Sequence, residues 1–494
     1  MRLLPLCLVL LLFLAACGGQ PAGADPDPTP DPIIEPDPDP EPQPDAGRIV
    51  IASHVDGERI VGDRSITFAG SVEGLTEPVS VTLTQNGAPV EVTFDGEAFA
   101  AELELQLNAN RLVVTATGEG ASTATAELTL EYPFADLETF QSGSLVIGQP
   151  DLESGDSGLG PGSLFGAEGA TSIHQGRLYV PDFHNNRVLV FEGLPSANGA
   201  EAIFAMGQPD LYSNSRGTSA TTLARPSGMA SHGERLLVLE DSNSRVLIWN
   251  EPPTGPDSPA DVVVGQPGFD ARAWECDAAH LYLPKSLSVA GGRLVVADTS
   301  NHRVLIWNEV PRENGVLPDL VLGQATFDTC EPNDDDQNGS MDGGPTARTL
   351  DNPTGVWTDG VKLAVADRAN NRVLIWSEFP TESFTPADIV LGQPDMTSRW
   401  AGVGPDRMQN PVGVTSNGNQ LFVSDHDNYR VLVWNGFPDA ARDADVVLGQ
   451  ASLEAREYVG DADPQRLTTP FGLYFHDGKL LVSDRRNNRI VVFE

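Results

Sequence analysis

Four sets of residues in this chain have the types and spacing to do chemistry. Asp334, Asp336, Asn338 and Asp342, set around Gly339, alternate oxygen-bearing side chains as a loop holding a hard cation such as calcium would. The glutamate that ordinarily closes such a loop at its twelfth position is absent and Pro345 stands there, so the expectation is a weak calcium site or a solvated acidic loop. Glu168 and Lys285 form the second set. Each breaks a repeated pattern in which its position carries proline or a small or apolar residue. Cys276 and Cys330 are the third. The fourth is Asp/Glu-x-x-Asn-x-Arg, which occurs six times: Asp182/Asn185/Arg187, Glu240/Asn243/Arg245, Asp298/Asn301/Arg303, Asp367/Asn370/Arg372, Asp425/Asn428/Arg430 and Asp484/Asn487/Arg489.

That sixfold repetition argues for structure at these positions, because six equivalent sites rarely make one active site. Aspartate and asparagine are turn formers, and arginine pairs bidentately with carboxylates. The expectation is that Asp and Asn brace a turn while Arg pairs with a carboxylate of its own or the neighbouring unit. Other chemistry is thin. His184, His302 and His426 fall near one set of turns and His174, His232 and His476 near another, with no HExxH or HxH pair to start a zinc site. No GxSxG, P-loop or CxxC motif is present either.

The elements that must position these residues follow from the beat of the repeat. The arginines stand 58, 58, 69, 58 and 59 residues apart, and a Gly-Gln pair keeps the same period from Gly148/Gln149 to Gly449/Gln450. Each unit reads as four short strands: one after Pro-x-Gly, one ending in the Asp, one starting at the Arg, and one closing in Gly-Gln. Such units describe the blades of a propeller. In that arrangement the Asp/Asn/Arg sets and the long segments after Gly-Gln should crowd one rim. The chain stops after the third strand of its last unit while a spare fourth strand, Leu145 to Gly148, precedes the first. That strand would close the ring and remove its open edge. The predicted fold class is therefore all-β, with a six-bladed propeller over 140–494. Val-x-Asp-x-x-Asn-x-Arg-Val-Leu-Ile-Trp after Pro-x-Gly-Val resembles the NHL repeat. The resemblance implies a family that includes protein- and RNA-binding platforms, extracellular sensors and a few metal-dependent lyases.

Ahead of the array, alternating strands joined by Asn86-Gly87 and Asp95-Gly96 predict an antiparallel β-sandwich over 48–133. It resembles the Ig-like modules of bacterial surface proteins. Asn108 and Asn110 are read as a turn between two of its strands. Residues 20–47 hold ten prolines and eight acids, the composition of a stiffened tether. Residues 1–16 have the form of an export signal. Leu14-Ala15-Ala16-Cys17-Gly18 resembles a bacterial lipobox, which implies a lipid on Cys17, a linker over 17–47 and residence in the cell envelope, at the outer membrane given Gly18. Membrane contact would be through that lipid alone. In an oxidising compartment Cys276 and Cys330 should form a disulfide.

The formal charge of −40 opposes phosphate backbones and so argues against a nucleic-acid partner. The function expected is a non-enzymatic, monomeric binding scaffold whose loop face recognises a protein or carbohydrate, with no cofactor beyond calcium. The alternatives are a metal-dependent lyase or lactonase at the channel mouth, near Glu168 and Lys285, and a structural envelope component. Glu168 and Lys285 are otherwise read as surface charges.

Overall fold

The computed structural model describes residues 47–60, 64–77 and 79–494. The export signal, Cys17 and the tether lie outside the described residues, as do 61–63 and Pro78. Two sheets make up the N-terminal part. Arg48–Ile51, Ser65–Glu73, Ala98–Glu104 and Thr93–Phe94 form one, and Glu58–Arg59, Thr123–Tyr132, Asn108–Thr117, Ser80–Gln85 and Ala88–Val90 the other. Inward residues of both sheets, among them Phe68, Phe99, Leu83, Leu112 and Leu130, share one core. Alternation along each strand is what delivers them to the same side. Two readings need correction. Glu58–Arg59 runs parallel to Thr123–Tyr132, so the sandwich is not purely antiparallel. Asn110 is not in a turn: it is a buried strand residue whose side chain accepts the Gln106 amide at 2.7 Å and donates to the Gln106 carbonyl at 2.8 Å, closing the turn before it.

From Leu145 to Phe493 the described residues build six four-stranded antiparallel sheets. Pro226–His232, Arg235–Glu240, Arg245–Trp249 and Val262–Val264 make a representative one. The third strands, such as Arg372–Trp376, are buried at every position. Their unbroken apolar runs reflect packing on both faces rather than the alternation of a half-exposed strand. Successive sheets stack through shared clusters, as where Leu237, Ile248 and Val264 meet Leu294, Val296 and Trp307. Leu145–Ile147 pairs with Ile490–Val492, so the first strand of the array completes the last sheet.

Antiparallel order puts the Asp-x-x-Asn-x-Arg turns and the long segments after Gly-Gln on one face, and the first hairpins of the sheets on the other. The sandwich docks on the hairpin face. Asn419 Nδ2 donates to the Ile60 and Pro133 carbonyls at 3.3 and 3.1 Å. Gln420 accepts the Ala135 amide at 2.8 Å and donates to the Ala135 carbonyl at 2.9 Å. Both side chains are buried, where a lost partner costs about 1–3 kcal/mol. The turn-and-loop face is left clear of the sandwich.

Candidate functional site

Each repeated carboxylate sits at the end of a second strand and is fully buried. In the fourth sheet, Asp367 Oδ1 accepts the Asp351 amide at 2.7 Å, and Oδ2 accepts Asn370 Nδ2 at 2.8 Å and Arg372 Nε at 2.7 Å. The rest of the guanidinium reaches further. Arg372 donates through Nη2 to the Thr346 and Thr349 carbonyls, both at 2.9 Å, and through Nη1 to the Met396 carbonyl at 2.5 Å. One arginine thus ties the loop entering its sheet to the loop leaving it.

The other five sheets repeat the arrangement; together they narrow the sequence reading in one respect, extend it in a second and correct it in a third. First, of the two partners expected for arginine, the acid of its own sheet is the one taken: Arg187, Arg245, Arg303, Arg430 and Arg489 all pair within their own sheet, Arg303 Nε with Asp298 at 2.7 Å and Arg489 Nε with Asp484 at 3.0 Å. The adjoining loops are reached through carbonyls instead, those of Asp277 and His280 by Arg303 and those of Asp463 and Arg466 by Arg489. Second, asparagine braces more than the turn. Asn185, Asn243, Asn301, Asn428 and Asn487 each donate Nδ2 to the acid three residues earlier at 2.7 to 2.9 Å. The same amide has a second proton to place, and Asn185, Asn243 and Asn428 give it to the loop carbonyls of Gly158, Gly217 and Gly402, each at 2.8 Å. Asn487 gives it to the Thr468 hydroxyl. Third, these sets do not stand at the rim with the loops. The six arginines are fully buried and the six asparagines at most 4 % exposed, because the long segments fold over them.

Burial pushes the Asp182 carboxyl up to about 6, against the pull of Arg187, and raises Glu240, Asp298, Asp367 and Asp425 in the same way. Gly-Gln is the complementary staple. Gln393 Nε2 donates to the Asn371 carbonyl at 2.8 Å and the Trp400 carbonyl at 2.9 Å, linking turn to loop. Gly392 adopts φ +83°, and a β-carbon there would lie 2.8 Å from Met408 Cγ, so both the left-handed backbone and the close approach call for glycine.

Glu168 and Lys285 meet at the turn-side neck of the central channel. Glu168 is not a surface charge: its side chain is 4 % exposed and accepts from Arg485 Nε at 2.6 Å, with Lys285 Nζ at 3.5 Å. Lys285 also pairs with Asp241 at 2.5 Å. These four groups satisfy one another and seal the neck. They come from different sheets because Asp241 and Arg485 each follow a repeated acid at the start of a turn, a register that the sequence carries but that a comparison of the repeated residues alone does not reveal.

The acidic loop gathers the carboxylates of Asp334, Asp336 and Asp342 within 4.8 Å of one another. Asp334 is fully buried and accepts the Asn338 and Gly339 amides at 3.1 and 2.9 Å. Asn338 turns its Nδ2 to Asp336 at 3.0 Å. Three carboxylates suit a hard divalent cation in charge but supply only part of its six to eight oxygens. A second cluster, Glu275, Asp277 and His280, matches no metal motif in the sequence, and in it His280 Nδ1 already binds Asp277 at 2.9 Å. His184, His302 and His426 belong to three different turns; His302 faces Asp351 and His426 faces Asp427. Cys276 and Cys330 are joined as a disulfide, with a Cα–Cα distance of 6.2 Å. It links the loops on either side of the third sheet.

The loop segments hold one further feature. Among the described residues the exposed aromatic side chains are Phe165, Tyr212, Trp274, Trp400 and Tyr458, and all lie between a Gly-Gln and the following sheet. Trp400 is 72 % and Tyr212 69 % exposed. Arg272 stacks on Trp274 at 5.2 Å and Arg486 on Tyr458 at 5.4 Å. Trp274 and Tyr458 each stand eight residues past the glutamine of a Gly-Gln, but the other three share no register, which hides the set from a reading built on the repeat. Aromatic residues without a partner strand, in polar loops, are the signal that the sequence offers.

Residues 281–307, which span the first three strands of the third sheet, match the NHL repeat. No curated protein matches the chain. Among solved structures it is similar to the PQQ-bound aldose sugar dehydrogenase of Streptomyces coelicolor (14 % identity, 69 % of this chain and 96 % of that one, TM-score 0.36). It is also similar to a putative 6-phosphogluconolactonase from Bacteroides fragilis (14 %, 78 % and 86 %, TM-score 0.34) and to the computationally designed protein Ika8 (8 %, 72 % and 100 %, TM-score 0.34). At these values the likenesses say nothing of activity. What stands is an all-β chain with an NHL repeat, propeller-like four-stranded sheets and a Cys276–Cys330 disulfide.

Proposed function

We propose that this is a non-enzymatic recognition protein of the bacterial cell envelope, an Ig-like sandwich and a six-bladed NHL-type propeller held to the membrane by a lipid on Cys17. Its ligand is an extended protein or carbohydrate bound across the turn-and-loop face. The observation that carries this reading is the placement of the exposed aromatics, which among the described residues all lie on the segments after Gly-Gln. Large rigid side chains standing in water at one rim contribute contact area at little entropic cost, which is why Trp and Tyr dominate binding hot spots. The ring beneath supplies the rigidity, and loops on a rigid scaffold are the usual place for recognition.

The test is a glycan array and a panel of immobilised envelope proteins probed with wild type and with a chain in which the solvent-facing residues 212–216 are replaced by unrelated sequence of equal length. The expected result is a ligand retained by wild type and lost by the graft, with the unfolding transition preserved. Metal-dependent turnover of a small substrate, abolished by Glu168→Gln with the rim intact, would overturn it in favour of an enzyme. Fatty-acid labelling that survives Cys17→Ser would remove the anchor.

A further inference from the structure

The central channel is not uniform along its length. At the turn-side neck, between Glu168, Lys285 and Phe471, only about 20 Å³ is open. Towards the hairpin face the first strands of all six sheets enclose a cavity of about 310 Å³. The channel is thus blind at the end where the loops lie and open at the end where the sandwich docks.

Its lining is polar for a reason built into the fold. Each first strand pairs with its neighbour on one side only, so its other edge turns unpaired amides and carbonyls to the channel. Hydroxyls satisfy part of that edge: Ser286 Oγ accepts the Val356 amide at 3.3 Å and Ser288 Oγ the Thr358 amide at 3.2 Å. Each hydroxyl still has its own proton to donate. Trp357 and Tyr474 also border the cavity.

The one charged side chain among the described lining residues comes from the sandwich. Arg59 borders the cavity beside Tyr474. Its backbone is fixed from both sides: it pairs with Glu131 in the sandwich, and the next carbonyl, of Ile60, accepts Asn419 Nδ2 of the propeller at 3.3 Å. Among the described residues no carboxylate forms an ion pair with Arg59. The cavity therefore offers one guanidinium and a wall of hydroxyl and backbone groups, in a volume at the small end of the ~300–1,000 Å³ usual for ligand sites.

We propose that this cavity binds a small hydroxylated carboxylate of hexuronate size, its carboxylate on Arg59 and its hydroxyls on the strand edges. The site is shared between propeller and sandwich and is separate from the loop face, so either can exist without the other. Arg59 is exposed, so its replacement should leave the packing intact.

Calorimetric titration of the full chain with D-glucuronate, and with D-glucose as the neutral control, tests the assignment. Wild type should bind glucuronate saturably and at least about tenfold more tightly than glucose. Arg59→Gln should abolish that preference, Ser231→Trp, which fills the cavity, should abolish binding of both, and Glu313→Gln, at an exposed position outside the cavity lining, should change neither. Absence of saturable glucuronate binding to wild type, equal affinity for the acid and the neutral sugar, or an unchanged preference in Arg59→Gln would each overturn the proposal. Melting curves on the same variants separate a filled cavity from a misfolded ring.

Discussion

The turn-and-loop face is made of two layers with opposite rules. Beneath lies the layer of Asp, Asn, Arg and Gln, nearly identical in six copies and buried; above it lie the segments after Gly-Gln, which differ in length and sequence and carry every exposed aromatic side chain described. The lower layer holds the upper one. Each arginine donates to carbonyls of both adjoining loops, as Arg430 does to Gly404 and Arg407 at 2.8 and 2.9 Å on one side and to Leu453 on the other. Repetition marks what the fold needs, and departure from repetition marks what the scaffold leaves free to vary.

Breaking the lower layer should have the largest effect. Arg372→Ala leaves Asp367 buried without its cation and frees three loop carbonyls, so a loss of about 3–5 kcal/mol is expected in denaturant unfolding. Arg→Ala at an exposed position such as Arg399 should change stability by no more than about 0.5 kcal/mol. The disulfide braces the upper layer directly. Its closed segment has a sequence separation of 54, and Cys276→Ser with Cys330→Ser should cost about 2–4 kcal/mol.

Smaller effects sharpen the contrast. If the loop carboxylates of Asp334, Asp336 and Asp342 hold calcium at the weak end of the extracellular range, near 10⁻³ M, then about 5 mM calcium should add roughly 1 kcal/mol to the unfolding free energy. Asp334→Ala with Asp336→Ala should remove that increment, and a calcium-independent midpoint in wild type would reject the site. The pH dependence reports on the lower layer. A carboxyl whose folded value is raised binds protons more tightly when folded, so its contribution is present below the unfolded value of 3.8 and lost as pH rises through the folded value, about 6 for Asp182. Self-repulsion of a chain with charge −40 acts in the same direction. The denaturant midpoint should therefore fall between about pH 4 and pH 6. A midpoint that rises over that interval would contradict the assignment.

Much of the array is legible in the sequence because its signals are local and recur: Asp, Asn and Arg at fixed spacing define a turn, and Gly-Gln defines the strand end that meets it. The spare strand Leu145–Ile147 is legible from counting, and the structure pairs it with Ile490–Val492. What cannot be read is what depends on residues far apart. The spacing of Asn185 or Arg489 shows that each belongs to a turn, but not that a loop some two dozen residues away in the chain or more folds over it and takes its remaining protons. Glu168, Lys285, Asp241 and Arg485 look like isolated surface charges until the ring brings four sheets together at one neck. Asn419 and Gln420 look like any hairpin residues until the sandwich supplies Ile60, Pro133 and Ala135 as partners. Asn110 escapes the pattern because asparagine favours turns from inside one and from beside one alike.

In the proposed function the upper layer recognises a ligand while the lower one only holds it in place. The direct measurement is affinity and unfolding free energy on the same samples of wild type and of Tyr212→Ala, Trp274→Ala and Trp400→Ala, using the ligand retained on the array. Each substitution should weaken binding by tenfold or more, about 1.4 kcal/mol, at a stability change within about 0.5 kcal/mol. Affinity unchanged in all three variants, or lost only in step with stability, would contradict it.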